Sequence, residues 1–511
     1  MRTIKAIFIL CFLTISFGCS DFLDKPPYGV LEADGFFNSA ERLKQGLTDA
    51  YNPLGFYNYE VPLMVLGNIV TDDSEKGGSG VNDKIEAYEL SRFRAVASNS
   101  ICLDFWTTCY RGIFNCNTVI DKSESIQDGN QELIKRIVAE AKFLRGYYYF
   151  NLALTFGGVP LATSALTPTE LDLRRSSYDE TWDQIERDFS EAAASLPLRS
   201  QYDPSDLGRA TKGAALAMLA KSMLMRQKFE QAEDVLNQII SSNEYELLDD
   251  FGKIWKDEYE NSSESLFEVQ HENTASGWMN DTEGSWIPLQ SNGRKNGGYG
   301  FDCPTEDLRD EFEPGDPRLV YTLTFSGDIM RGIDVIDNSE SPTGYHNRKV
   351  YIHPDDRASP FDDQGYNIRA IRYADVLLLY SEVLNENNKP NDALAYLNMV
   401  RERARNTNSH DPMRTHQVVD IEVDLPDITV TDKNELRELI WHERRVELAM
   451  EYHRKFDLVR QERYGEVMRQ FADNYDTDKG KLFNDNYHYV CPIPSAEIDR
   501  SEGKIVQNPG Y

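Results

Sequence analysis

Two stretches of this chain repeat each other at a fixed distance. Ile371–Arg405 reads IRYADVLLLYSEVLNENNKPNDALAYLNMVRERAR, with Leu377, Tyr380 and Leu384 on one helical face and Ala393, Leu397 and Val400 on another. The intervening NNKPN at 387–391 stops one helix and starts the next, because Pro390 has no N–H to donate and Asn391 can cap. Leu216, Leu219, Ala220, Met223, Phe229, Ala232, Leu236 and Ile239 each stand 161 residues before Leu377, Tyr380, Ser381, Leu384, Pro390, Ala393, Leu397 and Val400. Both follow the tetratricopeptide order: large, large, small, large in the first helix, then Ala-x3-large in the second. The small residue lets two backbones approach. One such hairpin cannot bury its own apolar face, so several must stack. The chain is therefore expected to be mostly α, a tetratricopeptide-like helical-repeat scaffold.

A large insertion interrupts the repeats. Between Tyr245 and Arg369, glycine, asparagine, proline and aromatics replace the helical period, over a span too long for a simple connection. Leu266–Gln270 and Leu319–Phe325 alternate like strands, so the insertion is predicted irregular and partly β. Before it, Asn38 with Glu41 reads as a capping box opening a helix to about Tyr51, and Ser177 with Glu180 as another. Helices are expected over Ser100–Ser123 and Glu132–Phe156, the latter ended by Gly157 and Gly158. After the insertion, Asp432 is expected to cap a last long helix, Glu435–Gln461, followed by a tail over 462–511. Helix pairs thus fall at about 38–243 and 371–461, around an insertion at about 245–369.

The N-terminus carries an address. Arg2 and Lys5 precede Ala6–Phe17, an apolar run of 12 residues, too short to span a bilayer and right for a secretory signal. Gly18-Cys19 then resembles the lipobox of bacterial lipoproteins, although Ser16 and Phe17 depart from its usual aliphatic and small residues. That likeness implies removal of residues 1–18 and acylation of Cys19. With 85 acidic against 54 basic residues and a net charge of −31, the surface repels phosphate backbones, so nucleic acid is not expected as a partner. Cys102, Cys109 and Cys116, seven apart, have no CxxC or histidine at ligand spacing and read as small buried filler, not a metal site.

These segments, taken in order, resemble the SusD/RagB family of Bacteroidetes outer-membrane lipoproteins. The likeness is carried by Cys19–Asp24 (CSDFLD), Ala141–Phe150 (AKFLRGYYYF) with Gly157–Pro160 (GGVP), and Glu443–Glu451 (ERRVELAME) with Arg454–Arg460 (RKFDLVR). Ile493-Pro494 and Gln507–Tyr511 (QNPGY) complete it. The resemblance implies one SusD-like domain over 19–511, with about four helix pairs and an irregular ligand-capturing face. It implies a SusC-like TonB-dependent transporter as partner, and a lipid anchor in the outer membrane through Cys19, facing the cell exterior. It implies glycan uptake for most members and peptides for some.

Sugars present flat apolar ring faces and a rim of hydroxyls, so a receptor needs aromatics beside amides, carboxylates or guanidinium groups. Asn273–Phe301 is the richest such stretch. It contains Trp278 and Trp286, with Asn280, Asn292 and Arg294 between them and Tyr299, and six glycines that favour a shaped loop over a helix. Asp73, in the polar glycine loop Asp72–Gly80, is a second candidate, and Asn99 a third, although it precedes a helix and can cap it. No catalytic residue is expected. Asp72 and Asp73 are adjacent and cannot flank a glycosidic bond, and His442-Glu443 lacks the second histidine of a zinc-protease motif. No cofactor is expected. Asp72, Ser74 and Gly77 faintly resemble a calcium loop, but Lys76 stands where a ligand oxygen is expected and Asp83 replaces the bidentate Glu. The expected function is non-catalytic capture of oligosaccharide for a transporter. The alternatives are a RagB-like peptide receptor, which the acidic surface would suit, and a lipid-anchored glycoside hydrolase.

Overall fold

The computed structural model describes residues 36–127, 130–166, 174–273, 284–359, 361 and 363–511. Cys19, Trp278 and Asn280 lie outside the described residues. Among the described residues no helix is long and apolar enough to cross a membrane.

The helices form the predicted scaffold. Before the insertion come α1 (Ala40–Tyr51), α2 (Tyr57–Met64), α3 (Ile85–Ser91), α4 (Ser100–Ser123), α5 (Gln131–Phe156), α6 (Tyr178–Ser195), α7 (Lys212–Met225) and α8 (Phe229–Ser242). After it come α9 (Tyr373–Glu386), α10 (Pro390–Asn406), α11 (Lys433–Glu447), α12 (Arg454–Arg460) and α13 (Tyr464–Asn474). Each of α4 to α8 packs on the next, α1 and α2 lie against α4, α8 packs on α9, and α9 on both α10 and α11. The repeat's small residues behave as their spacing requires. Ala220 and Ser381 are fully buried, and the Ser381 hydroxyl donates to the Ala393 carbonyl across the α9–α10 hairpin. Gly112 of α4 also has a steric reason: a Cβ there would stand 2.3 Å from the Tyr148 ring of α5.

Among the described residues nine short strands lie between the helices: β1 (Ser74–Gly77), β2 (Ser265–Val269), β3 (Phe301–Pro304), β4 (Leu323–Thr324), β5 (Ile329–Met330), β6 (Asp334–Val335), β7 (His346–Asn347), β8 (Ile368–Arg372) and β9 (Arg414–His416). The pair β2–β8 is antiparallel, with Ser265 opposite Arg372 and Val269 opposite Ile368. The insertion therefore leaves and re-enters the scaffold at one place, and α8 still meets α9. The pair β1–β3 ties the Asp72–Gly80 loop to the insertion.

Buried charges tie the scaffold to the insertion and, at Arg444, the scaffold helices to one another. Arg372 pairs with Glu264 at 2.6 Å, Glu451 at 2.7 Å and Glu447 at 3.0 Å. Arg318 reaches Glu443 at 2.6 Å and Asp316 at 2.7 Å, and Arg444 reaches Asp375 at 2.8 Å and Asp457 at 3.1 Å. All of these side chains are buried. Such pairs add little net stability over apolar packing, but removing one partner leaves an uncompensated charge.

Local boundaries differ from expectation in three places. The first cap is Ser39, whose Oγ accepts from the Arg42 N–H, not Asn38; this register turns Ala40, Leu43, Leu47 and Ala50 inward. Leu319–Phe325 is not one strand but a helical turn, Leu319–Thr322, followed by β4. Val320 to Phe325 are all buried, so burial does not alternate there. The last long helix is broken. After Glu447 the backbone takes positive φ at Met450 (64°) and Tyr452 (68°), and helix resumes at Arg454. Gly67 makes room for this break, since its Cβ would lie 2.6 Å from Tyr452 Cβ, and Asn68 Oδ1 accepts the Tyr452 N–H. Glu447 before the break and Glu451 within it both reach Arg372, and Arg454 after it pairs with Asp72.

Candidate functional site

An open cleft of about 950 Å³ lies where α2, α4 and the insertion meet, a size typical of ligand sites. Tyr57, the first residue of α2, meets Trp286 edge to face, with ring centroids 5.0 Å apart. Trp286 is only 6 % exposed, because its backbone N–H is held by the buried Glu60 carboxylate at 2.9 Å. The same carboxylate takes His271 Nε2 at 2.7 Å, so His271 and Trp286 are both pinned to α2. Phe301 of β3 forms more of the floor. Opposite it stands Gly77, with φ +66°, where a Cβ would collide with the Gly300 carbonyl. Lys84 adopts φ +55° at the start of α3, donates to the Tyr57 hydroxyl at 2.5 Å and lies over the Phe301 ring.

The rim is polar. Arg294 is exposed and donates to the Tyr299 carbonyl at 3.4 Å, and its guanidinium comes within 3.8 Å of Asp83. Burial would raise the Asp83 carboxyl, but the N–H and hydroxyl of Ser79 hold it below its usual range. Asp104 is pushed up by burial, against the pull of Lys84. Arg111, two turns further along the same face of α4, stacks over Phe56 at 4.6 Å. The cleft thus offers ring faces beside carboxylate, amide, ammonium and guanidinium groups, which is what a polyhydroxylated ligand requires.

Trp286, Arg294 and Tyr299 are brought together here. The other described candidates are elsewhere. Asn292 is buried, with its carbonyl accepting the Gly300 N–H, and supports the 292–300 loop from behind. Asp73 is a correction: it is 1 % exposed and bound to Arg445 at 2.8 Å, with Asp72 paired to Arg454 at 2.7 Å. These carboxylates are engaged in ion pairs, which also opposes the calcium-loop reading. Asn99 is a correction of the same kind, buried, with Oδ1 accepting from the N–H groups of Ile101 and Cys102 as the cap of α4. Sequence reasoning missed the α2 and α4 side of the cleft. Its signal is a stripe on α4, Asp104, Thr107, Thr108 and Arg111, at helical spacing beside the aromatic Phe56-Tyr57.

Fold and cleft together define a helical-repeat protein that presents an aromatic-floored, polar-rimmed binding face. Two family models match it: the SusD family over residues 263–511, and a family described as starch-binding, associating with the outer membrane, over 21–224. The chain belongs to the SusD family. It is 26 % identical to SusD-like protein P2 of Formosa agariphila, covering all of both chains, and 24 % identical to a SusD-like protein of Bacteroides ovatus, covering 96 % and 94 %. Among solved structures it is similar to a laminarin-binding SusD-like protein, at 27 % identity and TM-score 0.75, covering 93 % of this chain and all of the other. It is also similar to surface glycan-binding protein A of Bacteroides fluxus, at 25 % identity and TM-score 0.78, with the same coverage.

Proposed function

We propose that this protein is a non-catalytic surface receptor that captures oligosaccharide and passes it to a SusC-like TonB-dependent outer-membrane transporter. The observation that carries the reading is the cleft's pairing of Tyr57, Trp286 and Tyr299 with the polar rim of Asp104, Arg111 and Arg294. Membership of the SusD family and the laminarin-binding neighbour support a glycan as ligand. Titration calorimetry of the purified protein against laminarin, starch and a peptide panel tests it. A glycan should bind, and Tyr299→Ala should weaken it by about tenfold, the loss of one ring contact. Binding of peptides alone would overturn the reading, and release of new reducing ends on long incubation would overturn its non-catalytic part.

Acylated Cys19 would tether the receptor to the outer membrane, since among the described residues no helix can span one. Cys19→Ala should abolish metabolic lipid labelling and move the protein out of the membrane fraction. Unchanged fractionation would remove the tether.

A further inference from the structure

A second cleft, of about 640 Å³, lies beside the first and is walled by the end of α1, the Ser205–Arg209 turn and the end of β2. The two clefts share Phe56 and Arg111. Arg111 is exposed, and its described contact is the Phe56 ring, with no carboxylate paired to it among the described residues. A guanidinium carries five N–H donors in a planar fork and accepts nothing. Held on a ring between two open spaces, it is a ready donor to a ligand crossing from one to the other. The far cleft continues the same chemistry. Leu207 is 45 % exposed on its wall, and Ser205, Thr48 and Asn52 are exposed around it. Gly208, at φ +97°, keeps its floor low, because a Cβ there would meet the Gln270 side chain at 2.6 Å.

We infer that the two clefts are one groove, crossed at a saddle formed by Arg111 on Phe56, and that the ligand is a carbohydrate chain long enough to occupy both. This rests on the receptor reading above. A short oligosaccharide fills one cleft. A longer one meets the second cleft as a tethered, effectively intramolecular partner, so its contacts there add to affinity without a second association cost.

The test is calorimetry with a size ladder, disaccharide to heptasaccharide, of laminarin and of starch. Affinity should rise by about tenfold or more once the chain is long enough to cross the saddle. Ser205→Trp, which places bulk in the mouth of the second cleft, should bring the long chains down to the affinity of the short ones. Arg111→Ala should remove the same rise, with circular dichroism reporting an intact fold for both variants. A rise caused only by the greater number of binding frames on a longer chain would survive both substitutions, and that result overturns the groove. Equal affinity at every length also overturns it, while leaving glycan capture standing. Failure of both ladders to bind at any length overturns this inference, and failure of every glycan in the wider panel overturns the reading it rests on as well.

Discussion

Arg445 touches four carboxylates at once: Asp73 at 2.8 Å, Asp72 at 2.9 Å, Asp307 at 2.6 Å and Glu311 at 2.8 Å. Asp72 and Asp73 are sealed from water; Arg454 also holds Asp72 at 2.7 Å, but it stands 3.7 Å from Asp73, whose 2.8 Å contact is with Arg445. Arg445→Ala should destabilise the protein by about 3–5 kcal/mol, the usual effect of orphaning a buried charge, read from urea unfolding. Arg445→Lys should recover only part of this, because an ammonium cannot reproduce the fork. His442, beside it, gives a pH signature. Burial would lower its pKa, but hydrogen bonding to Glu311 and Glu313 raises it to about 9 from 6.5. A raised pKa contributes stability fully below about 6.5 and loses it as pH climbs through 9. Unfolding free energy should therefore fall between those values, and His442→Gln should flatten the slope. At the acid end the sign reverses. Burial would raise Glu447, but Arg403, Arg372 and Arg318 hold it at about 2, so its stabilisation is present above about 4.5 and is lost as pH falls toward 2.

Among the elements, the α4–α5 contact leaves little room. Tyr148 is fully buried, its hydroxyl donates to the Ala50 carbonyl, and its ring lies against Gly112. Gly112→Ala should overpack the contact and cost about 1–3 kcal/mol in thermal or urea unfolding. A variant as stable as the parent would mean that the helices separate freely there. Helix pairing of this kind was legible in the sequence because periodicity survives without knowledge of neighbours: the 161-residue offset marks α7–α8 and α9–α10 on its own. The break after Glu447 was not. Met450 and Tyr452 carry side chains that normally avoid positive φ, and Leu448 and Phe456 continue the apolar period through the break. The cleft was half legible. Trp286, Arg294 and Tyr299 advertise themselves as aromatics among polar groups, whereas Asp104 and Arg111 look like an ordinary solvated helix face. Asp73 misled for a related reason: nothing local shows that its countercharge lies 372 residues away.

Across the whole molecule, that separation is the rule. Arg454 bonds Asp72 over 382 residues, Lys479 bonds the Ser74 carbonyl, and Tyr464 donates to the Val70 carbonyl. The first and last parts of the chain thus complete one another, and contacts so distant in sequence slow folding. A chain cut after Glu443 should keep helical circular dichroism from α4–α8 yet lose its cooperative urea transition and digest rapidly with trypsin; a sharp transition in that fragment would show that the halves fold separately. The pairing also bears on how such a chain is delivered. Exported with its N-terminus leading, it would present Asp72 and Asp73 long before Arg445 and Arg454 emerged. Their burial waits for the trailing segment, so the chain stays open during passage and closes only when nearly all of it has arrived.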